Sequence, residues 1–177
     1  MKKILLIEDT GSVRDVVRKE LRKKGYEVGN AYDCTSAIGL WKAEGPFDCI
    51  ILDLNIDSGG FSLEEINDYF PIHGILVLNK IYIEEIIKQK KKECKEIITK
   101  ELEKTFREVA EKEFKNGTYK KLEMEILRKT VIYSGYIDDF LRKEKEFHKF
   151  EKSKLIYKGK MTSIFDLIEQ VDRILNR

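Results

Sequence analysis

Short apolar runs alternate with amphipathic stretches along the first third of the chain. Residues 3–8 and 47–52 are mostly apolar runs of strand length, and residues 26–31 form a second short strand between them. Between them, residues 12–24 and 35–43 carry apolar side chains at intervals of three and four, the spacing of one helical face. Strands that alternate with helices in this way are typical of βαβ units. The pattern therefore predicts a parallel sheet with helices packed on its faces.

Polar residues and glycine indicate where the helices begin and end. Ser12 and Asp15 have the spacing of a capping box, so we expect the first helix to start at Ser12 and to stop at Gly25. Ser163 and Asp166 repeat the capping-box spacing near the end of the chain. The apolar residues of that last helix form one stripe: Ile164, Leu167, Ile168, Val171, Ile174 and Leu175.

Two further strands are expected in the second half of the chain. Residues 130–133 and 154–157 are short apolar runs, and a helical stretch at 137–150 separates them. A helix is also expected at 62–70, after a glycine turn and before Pro71. Together these elements predict an α/β fold, a doubly wound five-stranded parallel sheet.

This core pattern stops between residues 72 and 124. Isoleucine, leucine and phenylalanine recur there at helical spacing, from Ile83 to Phe114, among many lysines and glutamates. Asn116 and Gly117 form a turn signal, and the residues after them have the pattern of a short return helix. We therefore expect one domain over residues 1–177 with a helical hairpin inserted at 72–124.

Composition and charge narrow the class of protein. The 34 Lys and Arg residues nearly balance the 32 Asp and Glu residues, and the formal net charge is +2. Binding to nucleic acid needs a segregated basic face, so no direct nucleic-acid contact is expected. No apolar run approaches the roughly 18 residues of a membrane span. Three cysteines without metal-site spacing fit a reducing compartment, and we expect a cytoplasmic protein.

Reactive side chains follow the ends of the predicted strands. Glu8 and Asp9 follow the first strand, Asp53 ends the third, Ser134 ends the fourth and Lys158 ends the fifth. Parallel strands bring their carboxyl ends to one edge of the sheet, where such folds place their sites. Clustered carboxylates suit Mg²⁺. A carboxylate there can attack phosphorus if a metal, a lysine and a hydroxyl neutralise the charge.

The four strand-end motifs resemble, in order and setting, the receiver domain of two-component response regulators. The resemblance covers residues 1–70 and about 129–177, and the interval between Asp9 and Asp53 also matches the family. The matching motifs are Leu6–Asp9, Ile50–Asn55, Ile132–Gly135 and Leu155–Lys158. The resemblance implies the flavodoxin-like receiver fold.

The family also implies roles for the site residues. Asp53 would accept a phosphoryl group from the phosphohistidine of a sensor histidine kinase or phosphotransfer protein, and Ser134 and Lys158 would bind the phosphoryl oxygens. The implied ligands of Mg²⁺ are the side chains of Glu8, Asp9 and Asp53 and the backbone carbonyl of Asn55. Such a protein is a phosphoacceptor rather than an enzyme. Because the chain ends at Arg177, we expect a stand-alone regulator that signals through protein contacts.

Two residue assignments have alternatives. Residues 74–79 are apolar and could be the fourth strand, but they end in Asn79, which lacks a hydroxyl, so we favour the strand that ends at Ser134. Lys160 could replace Lys158 as the family lysine, which would put charged Lys158 at a buried strand position. We therefore favour Lys158.

Two other classes of function compete with phosphotransfer. Leu155 stands where the family often has an aromatic residue that reports phosphorylation. A pseudo-receiver, which keeps the fold and binds a partner without phosphorylation, is therefore the first alternative. The second is an oligomerisation module in which the residue 72–124 insertion pairs with another copy. Either the insertion or another surface would bind the unknown downstream protein.

Overall fold

The computed structural model describes residues 1–62, 73–93, 100–116, 118–135, 137, 154–158 and 163–176. Its strands are β1 (Lys3–Ile7), β2 (Glu27–Ala31), β3 (Cys49–Leu52), β4 (Thr130–Ser134) and β5 (Leu155–Tyr157). Its helices are α1 (Gly11–Lys23), α2 (Cys34–Glu44), α3 (Gly74–Glu93), α4 (Lys100–Lys115), α5 (Lys120–Arg128) and α6 (Ser163–Leu175). Most of the helix expected at 62–70 and most of the one expected at 137–150 lie outside these residues.

All five strands pair in parallel, in the order β2-β1-β3-β4-β5. This is the strand order of flavodoxin-like sheets, so the predicted fold class is confirmed. In the registers of neighbouring strands, Ile7 pairs with both Ala31 and Leu52, and Leu52 pairs with Ile132. The carboxyl ends of β1, β3 and β4 therefore lie at one edge of the sheet.

The two faces of the sheet are covered by different helices. Leu5 and Ile7 point into an apolar cluster that includes buried residues of α2, α3 and α5. Ile4 and Leu6 point the other way, into a cluster with α1 and α6. Burial on both faces explains why the strands read as continuous apolar runs. Each buried Ile or Leu contributes roughly 1.5–3 kcal/mol of transfer free energy.

The start of α1 differs from the predicted capping box. The helix begins at Gly11, its N-cap is Thr10, and no side chain caps it. The Thr10 hydroxyl instead donates to Asp9 Oδ1 at 3.2 Å. Asp15 forms an ion pair with Arg18 at 3.0 Å. The prediction was wrong because a Ser-x-x-Asp spacing also occurs inside helices, where the acid pairs with a cation one turn on.

Other helix ends follow the sequence more closely. Gly25 follows α1 with a φ of 84°, a left-handed conformation that favours glycine, so its predicted role as a helix stop is confirmed. Asp33 caps α2, since its carboxylate accepts from the Ser36 N–H at 2.6 Å and the Ser36 hydroxyl lies 3.1 Å from the Asp33 N–H. The capping box expected at Ser163 lies outside the described side chains.

The stretch 74–79 is helical. It forms the first turns of α3, so the alternative reading of this stretch as the fourth strand is wrong. Ile75, Leu78 and Ile81 belong to the main core cluster on the sheet. Trp41 of α2 donates from Nε1 to Glu85 Oε1 at 2.7 Å. Helix α3 is therefore a structural layer of the domain, packed against α2 and the sheet.

The predicted apolar stripe is divided between α3 and α4. Its residues on α3 and Ala110 on α4 are buried within the chain, whereas Val109 on α4 is exposed. Ile83, Ile86 and Ile87 of α3 pack with Ala110 of α4. Tyr119 and Leu122, next to or on α5, cover this cluster. The return helix predicted after Asn116 is thereby confirmed as α5, although it extends to Arg128. Among the described helices, none is both long and apolar enough to cross a membrane.

Candidate functional site

Glu8 and Asp53 lie at the carboxyl ends of β1 and β3, which place both side chains in the interior. The Asp53 N–H donates to the Ile7 carbonyl at 3.0 Å and the Glu8 N–H to the Ala31 carbonyl at 3.0 Å, so the ladders extend to both residues. Glu8 is 1% exposed and Asp53 is 4% exposed. Backbone pairing thus fixes two buried carboxylates side by side.

The ammonium of Lys158 joins these two carboxylates. It forms an ion pair with Glu8 Oε2 at 2.6 Å and contacts Asp53 Oδ2. Lys158 follows β5, and its N–H donates to the Ser134 carbonyl at 3.2 Å. The lysine therefore reaches across the end of β4 to the residues that follow β1 and β3. An ion pair of this kind is costly to break, since removal of one partner leaves a buried charge uncompensated.

The three carboxylates that the sequence singles out come together. One oxygen each of Glu8, Asp9 and Asp53 lies within 4.8 Å of the others. Asp9 is exposed, whereas the other two are buried. Against these three acids, Lys158 supplies one positive charge, so two formal negative charges remain among the four side chains. Hard oxygen ligands with this excess charge fit a divalent cation such as Mg²⁺.

Burial and pairing shift the pKa of two of these groups. Burial raises the pKa of Glu8, and the hydrogen bond and charge of Lys158 oppose that shift without cancelling it. Burial alone would lower the pKa of Lys158, but the attraction of Asp53 and Glu8 outweighs it, so its pKa is raised. The ammonium is thus held in its charged form beside the two acids.

Backbone contacts fix the loop that carries the acids. The Arg14 guanidinium donates to the carbonyl of Glu8 at 2.7 Å and to that of Asp9 at 3.1 Å. The Thr10 N–H donates to Glu8 Oε1 at 3.1 Å. On the other side, the Asn55 N–H donates to Asp53 Oδ1 at 3.2 Å. Arg14 could not be identified from the sequence, because nothing in its spacing distinguishes it from other basic residues of an amphipathic helix.

Ser134 shares this edge of the sheet with the acids, and His73 immediately precedes α3. Ser134 ends β4 and is fully buried, at the edge of the sheet shared by Glu8 and Asp53. His73 is only partly exposed. Its Nδ1 donates to the Ile56 carbonyl at 3.1 Å, because a carbonyl oxygen can only accept. The structure therefore brings the predicted side chains to one edge and holds the start of α3 beside them.

The chain matches the family model described as "Response regulator receiver domain" over residues 4–111. This match spans more than half of the chain, and the chain belongs to that family. As a receiver domain it is a signalling protein of two-component systems rather than a member of an enzyme family. Ser134 and Lys158 lie beyond the matched range, so their assignment depends on the geometry above.

Solved receiver structures share the fold. The receiver domain of the Francisella response regulator 1452 matches with a TM-score of 0.54 and 13% identity, covering 100% of this chain and 98% of that one. A CheY-like receiver domain protein from Methanospirillum hungatei JF-1 matches with a TM-score of 0.53 and 15% identity, covering 99% and 94%. The non-phosphorylated HemR receiver domain from Leptospira biflexa gives 0.51 and 15%, covering 100% and 96%.

Proposed function

We propose that this protein is a phosphoacceptor that takes a phosphoryl group on Asp53 from a sensor histidine kinase or a phosphotransfer protein. The contact of Lys158 with both Glu8 and Asp53 carries this proposal. A lysine at that point can neutralise charge on phosphoryl oxygens as they approach the acceptor. Buried Ser134, at the same edge, is proposed to bind a further phosphoryl oxygen.

We propose that the acidic cluster holds Mg²⁺. Its ligands would be Glu8, Asp9, Asp53 and the backbone carbonyl of Asn55. The cluster fits because its oxygens lie within 4.8 Å of one another and Lys158 leaves part of their charge unbalanced. When bound, the cation would neutralise charge that develops on the phosphoryl oxygens. It would also relieve the repulsion between the acids.

The transfer itself needs few groups from the protein. A carboxylate oxygen of Asp53 attacks phosphorus in line with the leaving nitrogen of the donor histidine. The P–N bond breaks, its electron pair stays on the imidazole, and an acyl phosphate forms on Asp53. The Asn55 N–H, at 3.2 Å from Asp53 Oδ1, orients the attacking carboxylate. Positioning and charge neutralisation account for most of the catalysis in such reactions.

We propose that residues 1–177 form one receiver domain in which residues 72–124 are a helical insertion. A contact near the start of the insertion and one at the end of α5, which begins within the insertion and continues beyond it, support its integration into the domain. The Gly74 N–H donates to the Leu54 carbonyl at 2.9 Å. Lys154, just before β5, donates to the Arg128 carbonyl at the end of α5 at 2.6 Å. A downstream protein would bind to the surface of the insertion and so respond to phosphorylation of Asp53.

The proposal is tested by incubating the protein with acetyl phosphate and Mg²⁺ and measuring its intact mass. We expect one added phosphoryl group in the wild type and none in Asp53→Asn, because an amide is not a nucleophile toward phosphorus. Asp57→Asn is the matched control, since Asp57 is an exposed acid on the same loop. An unchanged wild-type mass, or loss of phosphorylation in both variants, would contradict the assignment.

A phosphorylation-independent pseudo-receiver is the second candidate, and one observation favours it. Leu155 occupies the position where the family often has its reporting aromatic residue, and it packs against the core cluster formed with α2 and α3. An aliphatic side chain in that setting has no polar end to reorient toward a phosphorylated site. If Asp53→Asn bound the partner protein as tightly as the wild type does, this candidate would be favoured.

A further inference from the structure

Tyr133 contacts Lys158 through its ring. The residue precedes Ser134 on β4, and the Lys158 ammonium lies 5.7 Å from the centroid of the Tyr133 ring. Tyr133 is 4% exposed and packs in the cluster between the sheet and helices α1 and α6. The side chain that meets both acids is thus also in contact with a buried aromatic ring.

We propose that Tyr133 is a positioning residue that holds the Lys158 ammonium for phosphoryl transfer, an inference that rests on the function proposed for Asp53. The face of an aromatic ring carries negative potential and attracts an ammonium within about 6 Å, more strongly where water is excluded. A lysine side chain has four flexible carbons and no preferred fork geometry. A fixed ring beside its end reduces the volume that the ammonium explores.

The ring differs from the other partners of Lys158 in one respect. Glu8 and Asp53 both belong to the acidic cluster, so a divalent cation there would compete with the ammonium for their oxygens. Phosphorylation would also change the charge on Asp53. Tyr133 is not among the clustered acids, and its attraction persists when they are engaged. It is therefore the partner that keeps Lys158 near the incoming phosphoryl oxygens.

Tyr133 also lies on a different face of the sheet from the family's reporting position. It packs with α1 and α6, whereas Leu155 packs against the cluster of α2 and α3. The β4–β5 register pairs Tyr133 with Ile156, two residues before Lys158. This strand pairing fixes the position of the Tyr133 ring relative to the Cα atom of Lys158. The positioning role is thus independent of any conformational report through Leu155.

The first test measures the rate of phosphorylation by acetyl phosphate at saturating Mg²⁺. Tyr133→Phe is the reference, and phenylalanines with increasing ring fluorination at position 133 weaken the ring potential at nearly constant shape. We expect the rate to fall stepwise with fluorination and to fall roughly 3- to 10-fold in Tyr133→Leu. Val131→Ala is the matched control, since Val131 is buried on the same face of β4. A flat fluorination series, or an equal loss in Val131→Ala, would overturn the proposal.

A second measurement separates this inference from the function on which it rests. NMR of ¹³C-labelled lysine, with Lys158→Arg for assignment, should show the ε-methylene of Lys158 shifted upfield by the ring, and Tyr133→Leu should abolish the shift. Absence of the shift in the wild type would refute the contact even if Asp53 is phosphorylated. A wild type that shows the shift but takes no phosphate would refute the acceptor function and, with it, the positioning role.

Discussion

Gly74 lies so close to the backbone of Asp53 that a side chain at position 74 would overlap the Asp53 carbonyl oxygen. The Gly74 N–H also donates to the Leu54 carbonyl at 2.9 Å. The first residue of α3 is therefore in direct contact with the segment that carries the proposed acceptor. A shift of that segment has to be accommodated by α3, since close-packed interiors leave no void to absorb it.

Gly74→Ala should test this contact. A methyl group there must push α3 or the acceptor segment aside, so we expect a loss of about 1–3 kcal/mol in urea unfolding and slower phosphorylation. Gly39→Ala is the control, because Gly39 lies in α2 and a Cβ there meets no atom within 4 Å. That change should be neutral or stabilising by up to about 1 kcal/mol. Equal stability of Gly74→Ala and wild type would refute the close approach.

Mg²⁺ should raise the melting temperature of the protein, because a divalent cation relieves repulsion among the clustered acids. Asp9→Ala should remove most of the rise, since Asp9 contributes one of the three clustered oxygens. Asp15→Ala should keep the rise, because Asp15 is paired with Arg18 on α1. Thermal melts with and without Mg²⁺ measure both. A rise that survives Asp9→Ala would mean that the metal binds elsewhere.

Phosphorylation of Asp53 should not require that α4 packs against α3. Ala110 is buried against α3, so Ala110→Asp places an unpaired charge in that interface and should open α4. Val109→Asp is the matched control, because the neighbouring Val109 is 38% exposed. We expect faster hydrogen exchange in α4 for Ala110→Asp only, with phosphorylation on Asp53 retained in both variants. Loss of protection throughout the sheet would show instead that α4 is part of the folding core.

Alkaline pH should weaken the link between β2 and α6. The Tyr26 hydroxyl donates to Asp172 Oδ1 at 2.6 Å. Burial, and then the Asp172 carboxylate, raise the pKa of Tyr26 from 10.0 to about 12. Because the pKa of Tyr26 is higher in the folded protein, the protonated hydroxyl contributes its full stabilisation below pH 10. That contribution is lost as the pH rises toward 12. At neutral pH the free energy of unfolding of the wild type should exceed that of Tyr26→Phe by ~1 kcal/mol. The difference should become smaller with each step in pH above 10. A constant difference in urea unfolding across that range would refute this linkage.

Much of the fold could be read from local patterns. Apolar runs and the polar residues that end them identified the strands, and the ends of β1 and β3 located Glu8 and Asp53. These signals are local because a buried parallel strand has to be apolar on both faces. The rejection of 74–79 as the fourth strand, made because Asn79 lacks a hydroxyl, was also correct.

Contacts between distant parts of the chain could not be read in this way. Arg14 binds backbone carbonyls, and Tyr133 contacts Lys158 only after β4 and β5 pair. Gly74 is needed because it has no Cβ, which would overlap the Asp53 carbonyl oxygen. None of these leaves a spacing pattern, since each depends on tertiary packing. The capping box predicted at Ser12 was wrong although its pattern is local. Thr10 contacts Asp9, and Asp15 pairs with Arg18.

The central claim is that Asp53 becomes an acyl phosphate, and borohydride trapping tests it most directly. Reduction of an aspartyl phosphate converts that residue to homoserine, which peptide mass spectrometry locates. After acetyl phosphate, Mg²⁺ and borohydride, we predict homoserine at position 53 of the wild type and none at Asp9 or Asp57. Glu8 should also stay unreduced, since its acyl phosphate would give the hydroxy amino acid that is one carbon longer than homoserine. Homoserine at another position, or an unmodified Asp53, would contradict the account.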